Sequence, residues 1–245
     1  GPGVQTIDSP AVAKNVIATG ACQNNRFDFM IYAEGQDATA DFSSRGPCED
    51  GRIKPDVMAP GTWIASLKSQ YASDENAWSP IDSYYLYQGG TSQAGPHAAG
   101  AAAVFIQYYR ETFANATPSP ALVKAALINS ATDMGVSFIP DPDSEGDVQQ
   151  VGDTGPVPNN DEGWGRIDLA NLIGSSLRFS YAEQGTGLRT GQTWEKRVVV
   201  SPNEPLKITL VYTDVSGLPA SIPALVNDLD LEVTGDVGTG QAEVT

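Results

Sequence analysis

Residues 89–100 read Gly89-Gly90-Thr91-Ser92-Gln93-Ala94-Gly95-Pro96-His97-Ala98-Ala99-Gly100, or GGTSQAGPHAAG. A hydroxyl, Ser92, stands between a pair of glycines and a run of the smallest side chains. From Ala94 to Ile106 the only polar side chain is that of His97. A helix that is apolar on every side predicts burial. Pro96 is tolerated only near a helix start, where amides have no intrahelical partner. The spacing therefore predicts a helix starting at Thr91 or Ser92. Ser92 then sits where backbone amides are free and the helix dipole presents partial positive charge. Two readings follow. Ser92 caps the helix, or it is a nucleophile whose own amide stabilises an oxyanion during acyl transfer. Gly89 and Gly90 let a substrate approach the backbone closely. The pattern is not the Gly-x-Ser-x-Gly elbow, because Ala94 stands where the second Gly belongs.

Outward from this block, strand and helix signals alternate. Residues 12–21 (VAKNVIATGA) read as a short buried strand with a Gly stop. Residues 39–44 alternate in the same way and break at Arg45-Gly46-Pro47. Residues 53–60 carry two prolines and read as a loop entering a strand at 62–67. Downstream, Ser119-Pro120 predicts a second helix, with Ser as cap and Pro in the first turn. Such alternation predicts a parallel sheet. Residues 140–162 hold seven acidic residues, four prolines and no Lys or Arg, and read as a mobile loop inserted in the domain. From about residue 175 the texture changes. Residues 193–200, 206–212 and 229–233 alternate with period two, and no helical pattern returns. The division expected is residues 1–174, an α/β domain, and residues 175–245, the first part of an antiparallel sandwich or jelly roll.

The chain has 245 residues, 40% of them apolar, and a formal net charge of −16. That charge repels phosphates and excludes nucleic acid as a partner. No apolar run approaches the roughly 20 residues that cross a bilayer. Two cysteines, Cys22 and Cys48, allow one pairing. They read equally as a bridge or as buried free thiols. Gly1-Pro2-Gly3 read as the middle of a longer chain.

Four separated motifs resemble one family. GTSQAGPHAAG at 90–100 resembles the nucleophile block of subtilisin-like serine proteases, usually Gly-Thr-Ser-Met-Ala-x-Pro-His-Val-Ala-Gly. FSSRGPCEDGRIKPDVMAPGTWI at 42–64 resembles the strand and loop before that serine. AKNVIATGA at 13–21 resembles a strand ending Val-Gly-Ala, and GWGRIDLANL at 163–172 the close of the catalytic domain. The order and spacing fit over residues 1–174. PLKITLVYTD at 205–214 and LVNDLDL at 225–231 look like the C-terminal β-barrel of the subtilase group that includes oxidatively stable alkaline proteases. The resemblance implies the C-terminal half of a subtilisin-like parallel-sheet catalytic domain, followed by an incomplete antiparallel β-sandwich. It implies a secreted serine endopeptidase acting on peptides, with Ser92 attacking the carbonyl. A histidine takes the proton and an aspartate orients that histidine. The family places that Asp, that His and an oxyanion Asn ahead of Gly1, in a missing N-terminal half. The 245 residues alone are therefore expected to be inactive.

His97 does not supply the base. Five residues on along a helix, it stands about 7.5 Å further along the axis and about 140° around it. The family implies a packing role for it. A Ser–Lys dyad with Lys54 or Lys68 has no support in spacing. Gln93 replaces the oxidisable Met of many relatives, which implies resistance to peroxide. By alignment with the family, Asp8, Ser9 and Pro10 fall near the primary substrate pocket, and Gly90 and Thr91 flank the nucleophile. Asp8 either favours a basic substrate side chain there or points to solvent. The chemistry requires no cofactor. There is no zinc cluster. Asn227, Asp228 and Asp230 read either as a structural calcium site or as a solvated face. Two rivals remain: a non-catalytic binding module on the same scaffold, and a carbohydrate-binding sandwich, for which Tyr181, Trp194 and Tyr212 offer thin support.

Overall fold

The computed structural model describes residues 3–26, 29, 33, 35–71, 73, 77–114, 116–140, 148–152, 155–174, 179–183, 185, 187–201, 205–219 and 221–234, with backbone alone at 136–140 and 148–152. Strands β1 (Thr19–Cys22) and β2 (Val57–Pro60) pair in parallel, Thr19 opposite Val57 and Cys22 opposite Pro60. Ala21, Cys22, Val57 and Met58 are 0% exposed, as expected of strands covered on both faces. β2 lies where the sequence predicts a loop. Pro55 lies two residues before the strand and Pro60 is its last residue, and Pro is tolerated at strand ends. Residues 39–44 form no strand. Thr39 makes a single bridge to Cys22, and the buried Ser43 hydroxyl accepts the Ala21 amide at 3.0 Å in place of a ladder. Strands β3 (Ile64–Leu67), β4 (Ser79–Pro80) and β5 (Tyr85–Gln88) form an antiparallel sheet in the order β3-β5-β4.

Helix α1 (Thr91–Thr112) packs along the β1–β2 pair. Its buried stripe is Ala94, Ala98, Ala101 and Phe105. Ala21, Ala40, Ala59 and Ala94 meet in one cluster, so helix and sheet approach at methyl-group distance. The expected burial on all sides does not hold among the described residues: Pro96, His97, Ala99, Gly100, Ala103 and Val104 are exposed. Alanine serves both faces of a helix, so composition does not separate them. Helix α2 (Pro120–Ser130) begins as predicted, the Ser119 hydroxyl accepting the Leu122 amide at 3.1 Å. Ser119→Ala should lower stability by about 1 kcal/mol. Urea unfolding checks this, and a loss below about 0.3 kcal/mol would contradict the cap. Phe105, Val123, Leu127 and Leu172 join α1, α2 and a π-helical turn at Ala170–Gly174 into the main core.

The acidic insert is not wholly a loop. Strands β6 (Val136–Pro140) and β7 (Val148–Gly152) pair antiparallel, so the insert's first part is a hairpin. Residues 141–147 lie outside the described residues. The insert's last residue is structural: Glu162 is 0% exposed and accepts the Met134 amide at 2.9 Å and Asn159 Nδ2 at 3.1 Å. Cys22 and Cys48 are buried free thiols, which decides against the bridge. Burial pushes the Cys22 thiol up to about 12.

After Gly174 no strand is present among the described residues. Leu206, Ile208 and Leu210 alternate as the sequence predicts but stand 48%, 40% and 43% exposed. Alternation makes a strand only where a neighbour completes the ladder. The segment is held instead by polar contacts to the α/β part. Lys207 Nζ donates to the Ile128 and Ala131 carbonyls at the end of α2, at 3.2 and 3.3 Å. Asp214, 3% exposed, accepts from Lys14 at 2.5 Å. The Lys14 ammonium, then the Val226 amide and Asn227, hold the Asp214 carboxyl well below the usual carboxylate range, against the opposing effect of burial. A depressed carboxyl contributes stability above the unfolded value, about 3.9, and loses it as pH falls further. Asp214→Asn should therefore be less stable than the parent at neutral pH, with the gap closing below about pH 4. Denaturant titration at several pH values checks this; a gap that persists undiminished in acid would contradict it.

Candidate active site

Ser92 is set by a chain of close backbone contacts. β2 ends at Pro60, and the next residue, Gly61, donates its amide to the Cys22 carbonyl at 2.9 Å. The Gly61 carbonyl accepts the Gly90 amide at 2.7 Å. A methyl group on Gly61 would sit 2.5 Å from Ala21 Cβ and 2.9 Å from the Gly90 oxygen, so only glycine fits. Gly90, the residue before α1, has φ 151°, a conformation L side chains rarely adopt. Its carbonyl accepts the amides of Gln93 and Ala94 at 3.0 and 3.3 Å.

The tip of α1 is open. No side chain caps it and no acidic residue lies in its first turn. Thr91 and Ser92 are both exposed. The capping reading of Ser92 thus fails: Gly90 occupies the cap position, and the Ser92 hydroxyl caps nothing. What remains is a hydroxyl on the surface at the positive end of a 22-residue helix. That geometry suits a nucleophile whose product charge is met by adjacent amides.

The sequence does not reveal the wall beside this tip. A methyl group on Gly89 would collide with the Trp78 indole. Trp78 meets Trp63 at 5.2 Å and Phe42 at 6.2 Å between centroids, both edge-on. Trp63 stacks on Phe29 at 3.9 Å, and Tyr87 packs edge-on to both. Five rings from five separate stretches converge on the segment that leads into Ser92. Only Tyr87 lies within the β3-β5-β4 sheet, and the other four rings reach it from outside its strands, so no local motif announces them.

The remaining predicted residues divide. His97 is exposed, and its Nδ1 lies 2.8 Å from the Gln93 carbonyl. A carbonyl only accepts, so Nδ1 donates there, and the ring is tied to its own helix. It neither packs in the interior nor serves Ser92. Lys54 is 2% exposed and bound to Asp56 at 2.5 Å, which removes it as a base for Ser92. Burial draws its ammonium below the ordinary lysine value, against the pull of Asp56. Asp8, Ser9 and Pro10 form an exposed turn in which Asp8 Oδ1 accepts the Ser9 amide at 2.7 Å. The turn is anchored through Gln5 and Thr6, whose amides donate to the Gly46 and Arg45 carbonyls, both at 2.9 Å. Asn227 Nδ2 donates to Asp214 Oδ1 at 2.8 Å, while the side chains of Asp228 and Asp230 are exposed. Among the described residues no group of three or more His, Cys, Asp or Glu could hold a metal ion. None of the described helices is long and apolar enough to cross a membrane.

Comparison with known proteins fits this geometry. The chain is 32% identical over 250 residues to the serine protease/ABC transporter B family protein tagA of Dictyostelium discoideum, covering 93% of this chain and 13% of that protein. It is 42% identical over 109 residues to the serine protease AprX of Bacillus subtilis, covering 44% of this chain and 24% of that one. It is 37% identical over 135 residues to the minor extracellular protease Vpr of Bacillus subtilis, covering 55% and 13%. The chain thus spans between 13% and 24% of the length of these relatives. The subtilase family model, Peptidase_S8, matches residues 1–165. With two thirds of its length inside that match, and Ser92 on an open helix tip within it, the chain belongs to the subtilase family.

Proposed function

We propose that the protein carrying this chain is a serine endopeptidase with Ser92 as its nucleophile. The observation that carries the proposal is the exposed Ser92 hydroxyl on an uncapped helix N-terminus. In this reading the Ser92 oxygen attacks the scissile carbonyl and gives its proton to a general base. The tetrahedral oxyanion accepts from the Ser92 amide. Collapse forms an acyl-enzyme ester and releases the amine, which takes up the proton, and water then hydrolyses the ester. The chain's one histidine is bound to Gln93, so the base comes from another part of the protein. Gly90 and Thr91 flank the bound peptide, and Asp8, Ser9 and Pro10 line the pocket for the side chain before the cut. Asp8 gives that pocket a negative charge. Peptides with Arg or Lys at that position should therefore be cut faster than their Leu counterparts, and equal kcat/KM would remove this role for Asp8. An acidic chain of net charge −16 and the likeness to an extracellular protease support secretion.

A fluorophosphonate probe tests the reading. In the whole protein it should modify Ser92, and Ser92→Ala should abolish the label. The 245-residue chain alone should stay unlabelled, since its one histidine is tied to the Gln93 carbonyl. Labelling of a different serine in the whole protein would contradict the assignment. The absence of any label there would favour a non-catalytic binding module on the same scaffold. What favours that second reading is that His97 is tied to the Gln93 carbonyl of its own helix.

A further inference from the structure

The 8–16 loop and the C-terminal segment meet in a network of largely buried charge. Lys14 Nζ donates to Asp214 Oδ2 at 2.5 Å, and to the carbonyls of Val215 and Ala224 at 2.6 and 2.7 Å. Asn15 and Asp214 exchange two bonds: Asn15 Nδ2 donates to the Asp214 carbonyl at 2.8 Å, and the Asp214 amide to Asn15 Oδ1 at 3.0 Å. Asp214 is fully used. Its Oδ2 also accepts the Val226 amide at 2.9 Å, and its Oδ1 the amide and side chain of Asn227 at 3.1 and 2.8 Å.

The rest of the loop is gripped at its carbonyls. Arg52 donates to the Val12 carbonyl at 3.0 Å and Lys124 to that of Val16 at 3.0 Å. Asp50 Oδ2 holds Arg52 at 2.7 Å and also accepts the Ala224 amide at 3.1 Å. The C-terminal segment therefore joins the network twice. From Lys14 the loop runs back to Asp8 through two turns, Ala13 amide to Pro10 carbonyl at 3.1 Å and Ala11 amide to Asp8 carbonyl at 2.8 Å. The predicted strand over 12–21 begins only at Thr19, so 12–16 has no ladder to hold it. Side chains supply the partners its backbone needs.

We propose that Lys14 and Asp214 form a clamp through which the C-terminal segment positions the 8–16 loop, and with it the pocket lined by Asp8, Ser9 and Pro10. This rests on the reading of that turn as part of the peptide-binding cleft. A segment beyond the family match at 1–165 thereby shapes a substrate pocket inside it. Lys14 and Asp214 are positioning residues, since neither touches the reacting atoms.

The test uses Lys14→Met, Lys14→Arg and Asp214→Asn in the whole protein. Hydrogen exchange is measured at the amides of 11–16 and, as a control, in α1; kcat and KM are measured on a peptide. Losing a charged hydrogen bond at a buried site raises local opening about tenfold. Lys14→Met and Asp214→Asn should each show that rise at 11–16, larger than any rise in α1. KM should rise several-fold with kcat nearly constant, and Lys14→Arg should restore both readouts. Unchanged exchange at 11–16 in either variant that folds would overturn the clamp. Faster exchange with unchanged KM would overturn its role in the pocket. The peptidase reading fails on separate grounds, by hydrolysis that survives Ser92→Ala.

Discussion

Ser92→Ala is expected to lower peptide hydrolysis by the whole protein by about 10⁶-fold in kcat, the scale seen when a serine protease loses its nucleophile. Thr91 beside it is exposed too, but Ser92 carries the unbranched primary hydroxyl, the less hindered of the two for forming an ester. Alanine keeps the helix, because the first turn is organised by the Gly90 carbonyl and not by the serine side chain. Folding and peptide affinity should therefore survive, and KM should change far less than kcat. Steady-state kinetics against circular dichroism separates the two. A variant that retains a tenth of the parent rate would exclude Ser92 as nucleophile. A variant that fails to fold would place its role in the helix start.

Asp56→Ala is expected to cost about 3–5 kcal/mol of stability, the usual penalty for breaking a buried ion pair from one side. Asp56 is 2% exposed. Its carboxylate binds Lys54 Nζ at 2.5 Å, Lys124 Nζ at 2.7 Å and the Ala18 amide at 2.7 Å. Removing it leaves the buried Lys54 ammonium, among the described residues, with one distant acceptor, the Val16 carbonyl at 3.5 Å. Domains are stable by only about 5–15 kcal/mol, so the loss is a large fraction of the total. Lys54→Met should be much milder, because Asp56 keeps Lys124 and the amide. Adding Lys54→Met to Asp56→Ala should recover part of the loss, since the stranded charge is then gone. Urea titrations of the three variants decide this. An Asp56→Ala loss under about 1 kcal/mol would show that water or neighbouring groups satisfy Lys54 without it.

Both results bear on what a sequence can and cannot announce. The start of α2 was legible because Pro120 stands in the first turn under the Ser119 cap, whereas Pro96 lies inside α1, one turn beyond its start, and marks that start only to within a turn. The tiny residues around Ser92 announced a close approach of backbone to sheet, and the cluster of Ala21, Ala40, Ala59 and Ala94 is that approach. β2 was not legible: Pro55 and Pro60 read as breakers, and only their places, two residues before the strand and at its last residue, reconcile them with it. The open face of α1 was not legible either, since alanine and glycine carry no signal of which side meets a neighbour. In the C-terminal segment the alternation of Leu206, Ile208 and Leu210 specifies a period but not a partner, and among the described residues no ladder accompanies it.

The polar networks lay furthest out of reach. Lys124 and Asp56 pair at 2.7 Å, and Lys14 and Asp214 at 2.5 Å, although each pair is far apart in the chain. A charge in a sequence carries no mark of burial or of its distant partner, so neither pairing could be read from the chain. The aromatic wall was hidden for the same reason. Phe29, Phe42, Trp63, Trp78 and Tyr87 meet in the fold from five separate stretches of the chain.

The central claim is that an exposed hydroxyl on an open helix tip forms a covalent bond to the acyl carbon of a peptide. The most direct measurement is to quench the whole protein in acid within milliseconds of mixing with an activated ester substrate and to locate the acyl group by tandem mass spectrometry. The account predicts one acyl group per molecule, carried on Ser92. An acyl group on any other side chain, or product release with no protein-bound acyl group at early times, would contradict it.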